Sequence, residues 1–260
     1  ETSNFVPGIE IHAKYTLVAE GTRGSITKQI EQKLFLRKNS DPQKYGLGFK
    51  EIWRVKNENH EPGLVEHSLG WPLQDDTGGG SFTYHYGENL VSLGFVVHLD
   101  YSNPYLSPFD EFQRFKTHPR IKKLLKGAER ISYGARAINE GGIQSWPDLV
   151  FSGGLFIGCS AGMVNVPRIK GTHNAMKSGM LGAEAVVEAI VNPKKIKNSL
   201  LTSYNKKIKS SWVWSDLYAV RNIKPLIAKF GNRLGMFFGG IEMWLAYYRL
   251  TLPWTLHHKK

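Results

Sequence analysis

Short β-rich runs fill the stretch from 44 to 102: Leu47–Val55, Glu66–Trp71, Gly80–Tyr86 and Leu90–Leu99. Turns rich in Gly, Pro and Asp separate them, and this punctuation predicts an antiparallel sheet. The flanking segments have another rhythm. Tyr15–Ala19 is a buried-strand pattern that runs into Glu20-Gly21-Thr22-Arg23-Gly24-Ser25, where Ser25 is placed to cap a helix over Ile26–Leu36. Ile9–Lys14 reads as the partner strand of a hairpin, and Phe109–Lys116 and Ile121–Leu125 read as short helices joined through His118-Pro119. Farther on, the apolar strand Leu155–Ile157 enters a turn of small residues, Gly158-Cys159-Ser160-Ala161-Gly162. A loop then leads to a helical run over Thr172–Ile190, in which Ala175, Gly179, Leu181, Ala183 and Val187 are spaced for close packing. Leu200–Lys229 also reads as helix.

Two strand-turn-helix units therefore bracket a sheet-rich middle. The predicted fold class is α/β, with residues 1–40 and 128–192 as two parts of one nucleotide-binding layer and 41–127 as an inserted α+β substrate domain. Residues 193–260 form a helical, membrane-facing segment. Small residues at 158–162 let backbone approach a ligand, and the open N–H groups and dipole of the following helix favour negative charge there. Flavoproteins of the glutathione-reductase-like superfamily use such turns in this order, although many carry Asp where this chain has Cys159. No G-x-G-x-x-G is present, since Gly46-Leu47-Gly48 lacks the third glycine.

Composition narrows the partners. The formal charge is +12, and Lys and Arg are densest from Lys194 to Lys260, interleaved with Trp and Phe. Such a face suits anionic partners, a phospholipid surface or an acidic protein. No nucleic-acid-binding module is visible, which argues against DNA or RNA. One cysteine, Cys159, excludes a disulfide framework and a cysteine-ligated cluster held by these residues alone. The chain opens on Glu1-Thr2-Ser3 and reads as an internal segment of a longer protein.

Phe230–Trp254 is aromatic and apolar but carries Arg233, Glu242 and Arg249 and four glycines. A spanning helix needs about 20 predominantly apolar residues. The charges disfavour a span, and Trp and Tyr flanked by Lys and Arg suit the headgroup boundary, with Glu242 and Arg249 left among the headgroups. The alternative is an aromatic-rich core helix.

Long motifs carry a more specific resemblance. Tyr45-Gly46-Leu47-Gly48-Phe49-Lys50-Glu51-Ile52-Trp53, Gly79-Gly80-Ser81-Phe82-Thr83-Tyr84-His85, Tyr133-Gly134-Ala135-Arg136-Ala137-Ile138-Asn139-Glu140-Gly141-Gly142, Lys170-Gly171-Thr172-His173-Asn174, Ser211-Trp212-Val213-Trp214 and Pro253-Trp254-Thr255-Leu256 together resemble the middle of the electron transfer flavoprotein-ubiquinone oxidoreductases. The resemblance covers nearly the whole chain, and Cys159 belongs to that family's version of the turn. It implies a glutathione-reductase-like FAD-binding layer with an inserted quinone-binding domain and a monotopic membrane surface. It also implies electron transfer from electron transfer flavoprotein through FAD to ubiquinone, with a 4Fe-4S cluster whose ligands lie outside these residues. The implied location is the mitochondrial inner membrane on the matrix side, or the cytoplasmic membrane of a bacterium.

By the same resemblance, Gly158, Cys159, Ser160, Ala161, Gly162, Asn165, Gly171 and Thr172 hold FAD, with Asn165 and Thr172 near its ring, and Gly79 and Gly80 meet the quinone carbonyl. Read by itself, Thr77-Gly78-Gly79-Gly80-Ser81 is a flexible hairpin turn. His85, His98 and His173 read as hydrogen-bonded structural histidines, and no catalytic side chain or resident metal is expected. Two other readings stand beside this one: a geranylgeranyl-reductase-like or monooxygenase-like flavoprotein acting on a membrane lipid, and a peripheral membrane module without redox chemistry.

Overall fold

The computed structural model describes residues 3–193 and 199–258. Two sheets organise them. In the smaller, three-stranded sheet, β1 (Thr16–Val18) lies parallel to β8 (Gly154–Phe156), which pairs antiparallel with β7 (Val150–Phe151). The larger sheet is antiparallel, in the order β3 (Val65–Ser68), β4 (Gly79–Tyr86), β5 (Leu90–His98), β2 (Tyr45–Arg54), β6 (Glu129–Asn139). The expected runs of 44–102 are thus strands of one sheet. The sheet continues past residue 127: its fifth strand, β6, pairs along the length of β2 with a bulge at Ile52/Trp53 and ends at Asn139. The pairing is non-local, and no periodicity within β6 announces its partner.

Each sheet builds its own core. Val18, Leu155 and Phe156 pack against α4 (Thr172–Val191), α5 (Thr202–Ser210) and α6 (Trp212–Tyr218) through Leu181, Ala185, Tyr204, Val213 and Leu217. Tyr204 Oη, fully buried, donates to the Phe156 carbonyl at 3.0 Å and so ties α5 to β8. In the larger sheet Leu93, Phe95 and Val97 project from β5 onto Phe112 and Phe115 of α2 (Pro108–Lys116) and Ile121 of α3 (Pro119–Leu124). Strand alternation sends these residues to one face, and Phe95 stacks on Phe112 and Phe115 with centroids 5.9 and 5.4 Å apart. Glu51 is buried beside them, and its carboxylate accepts from Lys116 Nζ at 3.0 Å, Arg130 Nη1 at 3.2 Å and Trp53 Nε1 at 2.8 Å. A carboxylate in this position is tolerated because every oxygen is paired.

Three local expectations change. Ile9–Lys14 is exposed and non-strand, because β1 pairs β8 alone among the described residues and offers the segment no ladder. Helix α1 (Ser25–Lys33) is not capped by Ser25. The Glu20 carboxylate takes the N–H of Ile26 at 3.1 Å and of Thr27 at 2.6 Å, and a charged acceptor outcompetes a hydroxyl. Leu200–Lys229 is broken into α5, α6 and the start of α7 (Ile223–Tyr247), with extended backbone at Ser211.

Candidate functional site

The two strand-turn-helix units meet at their turns. Gly21 N–H donates to Ser160 Oγ at 3.1 Å, so the turn after β1 and the turn after β8 form one wall. Gly158 and Gly162 have φ of +56° and +85°, a left-handed conformation that favours glycine. A Cβ on Gly158 would sit 2.9 Å from Ala175 Cβ, so this glycine also sets how closely α4 approaches the turn. The N–H groups of Ala161, Gly162 and Met163 are satisfied within the turn. Open donors come instead from the start of α4, which no side chain caps. Thr172 is exposed there, and Gly171 precedes it against Val164. An uncapped helix N-terminus, held against the glycine turn, fits the negative charge of a flavin dinucleotide's pyrophosphate. Burial pushes the half-buried Cys159 thiol up, so it presents a neutral S–H to this wall.

Asn165 is placed differently from the residues around it. It is fully buried, its Nδ2 donates to the Asp216 carbonyl at 3.4 Å and its Oδ1 accepts from Arg168 N–H at 3.2 Å. Its side chain therefore shapes the 165–170 loop. His173 stacks on Trp212 at 5.4 Å and faces Asp216 at 3.4 Å, and His85 accepts from Glu61 N–H at 3.0 Å, both in structural roles.

Gly79 and Gly80 open strand β4. The ladder to β3 stops at Ser68 and Ser81, so on that edge the two glycines have no strand partner. A side chain on Gly79 would strike the Val96 carbonyl, and one on Gly80 would lie 2.7 Å from the Ser68 carbonyl and 2.9 Å from Leu69. A cleft of about 190 Å³ lies beside them, between β3–β4 and α2–α3, lined in part by Leu69, Trp71, Ser81, Phe115 and His118. Sequence reading missed this cleft, because its walls come from four elements with no shared spacing.

The aromatic segment does not form one straight helix. Gly231 has φ +76° and ψ 178°, and there α7 folds back on itself. A Cβ on Gly235 would lie 2.5 Å from Ile227 Cα, and one on Gly239 3.0 Å from Ile223 Cδ1, so glycines let the two halves touch. Asp75, just before the Gly78–Gly80 loop, fixes the fold-back by accepting from Asn232 N–H and Arg233 N–H, each at 2.9 Å. The second half is inverted relative to an ordinary surface helix. Glu242 faces inward, 3% exposed, and accepts from Asn222 Nδ2 at 2.6 Å. Burial raises its carboxyl above the ordinary range. Leu234, Phe237, Trp244, Tyr247 and Tyr248 face outward and are more than half exposed. Glu242 is therefore not among headgroups, as the sequence reading had it, but in a polar latch that also holds Pro253-Trp254-Thr255-Leu256: Arg221 Nη2 donates to Trp254 O at 3.0 Å and Leu256 N–H to Asn222 Oδ1 at 2.7 Å. Trp214 likewise leaves the expected surface, packing on Trp146 at 6.0 Å. Among the described residues no helix is long and apolar enough to cross a membrane. Lys194, Lys195 and Lys197, assigned to the basic face, lie outside the described residues.

A parallel pair of strands feeding a small-residue turn and a helix, with an antiparallel sheet inserted between, is the fold of FAD-dependent oxidoreductases. It superposes on a geranylgeranyl bacteriochlorophyll reductase-like protein from Thermoplasma acidophilum with a TM-score of 0.64 at 18% identity, covering 89% of this chain and 54% of that one. It also superposes on the flavin-dependent brominase Bmp2 with a TM-score of 0.60 at 17% identity, covering 94% and 57%. At such identities only the fold is shared. Sequence is more specific. Residues 45–138 match the family model described as ETF-QO, ubiquinone-binding. The electron transfer flavoprotein-ubiquinone oxidoreductases of Bos taurus and Homo sapiens are 52% and 51% identical over 99% of this chain, and the probable enzyme of Schizosaccharomyces pombe is 51% identical over 98%. The chain belongs to the electron transfer flavoprotein-ubiquinone oxidoreductase family. It spans 42% of the bovine and human proteins and 40% of the yeast one.

Proposed function

We propose that this chain is the central part of an oxidoreductase that passes electrons from reduced electron transfer flavoprotein through FAD to ubiquinone at a membrane surface. The observation that carries this reading is a covalent and geometric continuity. Asp75 caps the outward-facing aromatic helix, and three residues later the chain reaches the Gly78–Gly80 run, which opens strand β4. The proposed entry for an apolar quinone tail is along this stretch, from the lipid-facing helix to the glycines. FAD, when bound, supplies the one- and two-electron chemistry between donor and quinone. Gly158 to Gly162, Gly171 and Thr172 would hold it, and Gly79 and Gly80 would let the quinone approach the backbone with no Cβ in the way. The 4Fe-4S cluster would be carried outside this chain, since Cys159 is its one cysteine and the described residues contain no metal-ligating group of His, Cys, Asp or Glu. Relatives' names place them in mitochondria, and the site proposed for this protein is the matrix face of the inner membrane. There the +12 charge would meet anionic lipid, each nearby Lys contributing about 1 kcal/mol.

Vesicle binding tests the surface. Phe237 and Trp244 are 63% and 62% exposed, and burying each in lipid is worth roughly 1.5–3 kcal/mol. The double variant Phe237→Ser/Trp244→Ser of the full-length protein should bind anionic vesicles at least about 100-fold more weakly, since 1.4 kcal/mol is tenfold. Unchanged co-sedimentation would remove this face from the account.

A further inference from the structure

Beneath the quinone-side glycines lies a set of buried charges that the proposed electron path does not use. Lys224, at the start of α7, is 5% exposed; its Nζ donates to His98 Nδ1 at 2.7 Å and to Asp100 Oδ1 at 3.0 Å, and lies 3.4 Å from Glu140 Oε2. His98 Nε2 faces Glu140 Oε1 at 3.4 Å. Glu140 is 2% exposed, whereas the Asp100 side chain is 27% exposed. The cluster is built in: a Cβ on Gly46 would strike Glu140, and one on Gly78 would strike His98. It also touches both halves of the proposed site. His98 packs against Gly78, next to Gly79 and Gly80, while Glu140 and Lys224 line a small cavity with Val164 and Pro167 of the loop that follows the flavin-side turn.

We propose that Asp100, Lys224 and Glu140 form a proton path from solvent to the space between the quinone-side glycines and the flavin-side loop, with His98 as the positioning residue. This rests on the proposed quinone reduction. Converting a quinone to its quinol takes two electrons and two protons, forming two O–H bonds. The flavin of the proposed activity supplies the electrons, and the protons must enter a site walled by protein.

The hydrogen bonds assign the roles. Lys224 donates to His98 Nδ1, so the ring is neutral with its N–H on Nε2, directed at Glu140 Oε1. That leaves Oε2 to carry the proton. The O–H of Glu140 breaks as the quinone oxygen gains its proton, and the carboxylate is reloaded through Lys224 Nζ, which Asp100 links to solvent. Burial, against the pull of Lys224, raises the Glu140 carboxyl to about 7, so its proton is mobile near neutral pH. Burial and the Lys224 charge hold His98 neutral. Arg221 lines the same small cavity, Lys44 acts electrostatically on Asp100, and His258, with Asp41 beside it, feels the Lys224 charge. With Glu140 protonated the four groups sum to zero charge, and with it ionised Lys224 is shared by two carboxylates, so neither state leaves a buried charge alone.

The test uses the full-length holoenzyme with a short-chain ubiquinone, and compares wild type with Glu140→Gln and Asp100→Asn. A carboxamide cannot release a proton, so quinone reduction in Glu140→Gln should fall by at least roughly 10²-fold. The wild-type rate should decline as pH rises through about 7, and the variant should lack that decline. Independently of turnover, the pH-difference infrared spectrum of the wild type should show a protonated-carboxyl band lost over the same range and absent from Glu140→Gln. Asp100→Asn, altered at the solvent end, should slow quinone reduction severalfold and decides the matter if Glu140→Gln does not fold. An unchanged rate and pH profile in the variants, or a carboxyl band that persists in Glu140→Gln, overturns the path while leaving quinone reduction intact. A wild-type protein inert toward quinone overturns the proposed function, and the path with it.

Discussion

Full-length protein carrying Gly158→Val is expected to be isolated without FAD. Gly158 sits at φ +56°, a conformation that costs an ordinary residue roughly 1–2 kcal/mol and a β-branched one more. Strain is the smaller part. The new side chain would start 2.9 Å from Ala175 Cβ and 3.3 Å from its Cα, so α4 must move away from the turn. Its uncapped N-terminus, the proposed anchor for the pyrophosphate, moves with it. Gly158 N–H also donates to Ser178 Oγ at 2.9 Å, a second tie between turn and helix that the shift would break. The visible absorbance of the purified protein and its flavin content after denaturation give the result directly. Stoichiometric FAD in a folded variant would place the cofactor elsewhere.

The second large effect belongs to the quinone side. Gly80→Leu should abolish quinone reduction, by at least about 10²-fold, the scale set by an ångström-sized misplacement of a reacting group. The leucine Cβ would lie 2.7 Å from the Ser68 carbonyl, so the end of β3 must shift and the edge offered by Gly79 and Gly80 is covered. The flavin-side wall is built on the other sheet, so reduction of the flavin by its donor should survive. Rapid-mixing spectra of the two half-reactions separate these outcomes. Unchanged quinone affinity and rate in Gly80→Leu would show that the headgroup binds away from these glycines.

Much of the architecture was legible because it is local. The strand runs between 44 and 102 and the strand-turn-helix at 155–190 are written in consecutive residues. What depended on distant partners was not. β6 joins β2 across some eighty residues, and nothing in Glu129–Asn139 says so. The inward turn of Glu242 could not be read either, because its partner Asn222 is reached only after Gly231 folds α7 back. A charge in an aromatic helix looks the same in sequence whether it meets headgroups or a buried amide. Asn165 shows the converse: its place in a loop motif was plain, but its amide is engaged by Asp216 and Arg168. His98, Asp100, Glu140 and Lys224 come from three separate stretches of chain, and Gly46 and Gly78 were their faint trace, as glycines that leave room for a carboxylate and an imidazole.

The proposed function requires one protein to bring a flavin and a membrane quinone into electronic contact. Single-turnover reoxidation measures that most directly. The full-length protein, anaerobic and with its FAD reduced, is mixed with ubiquinone while the flavin absorbance is followed. Oxidised-flavin absorbance is expected to return at a rate that rises with quinone concentration and then saturates, and Gly80→Leu is expected to remove this phase. A reduced flavin that stays reduced in excess quinone, or reoxidation indifferent to Gly80→Leu, would contradict it.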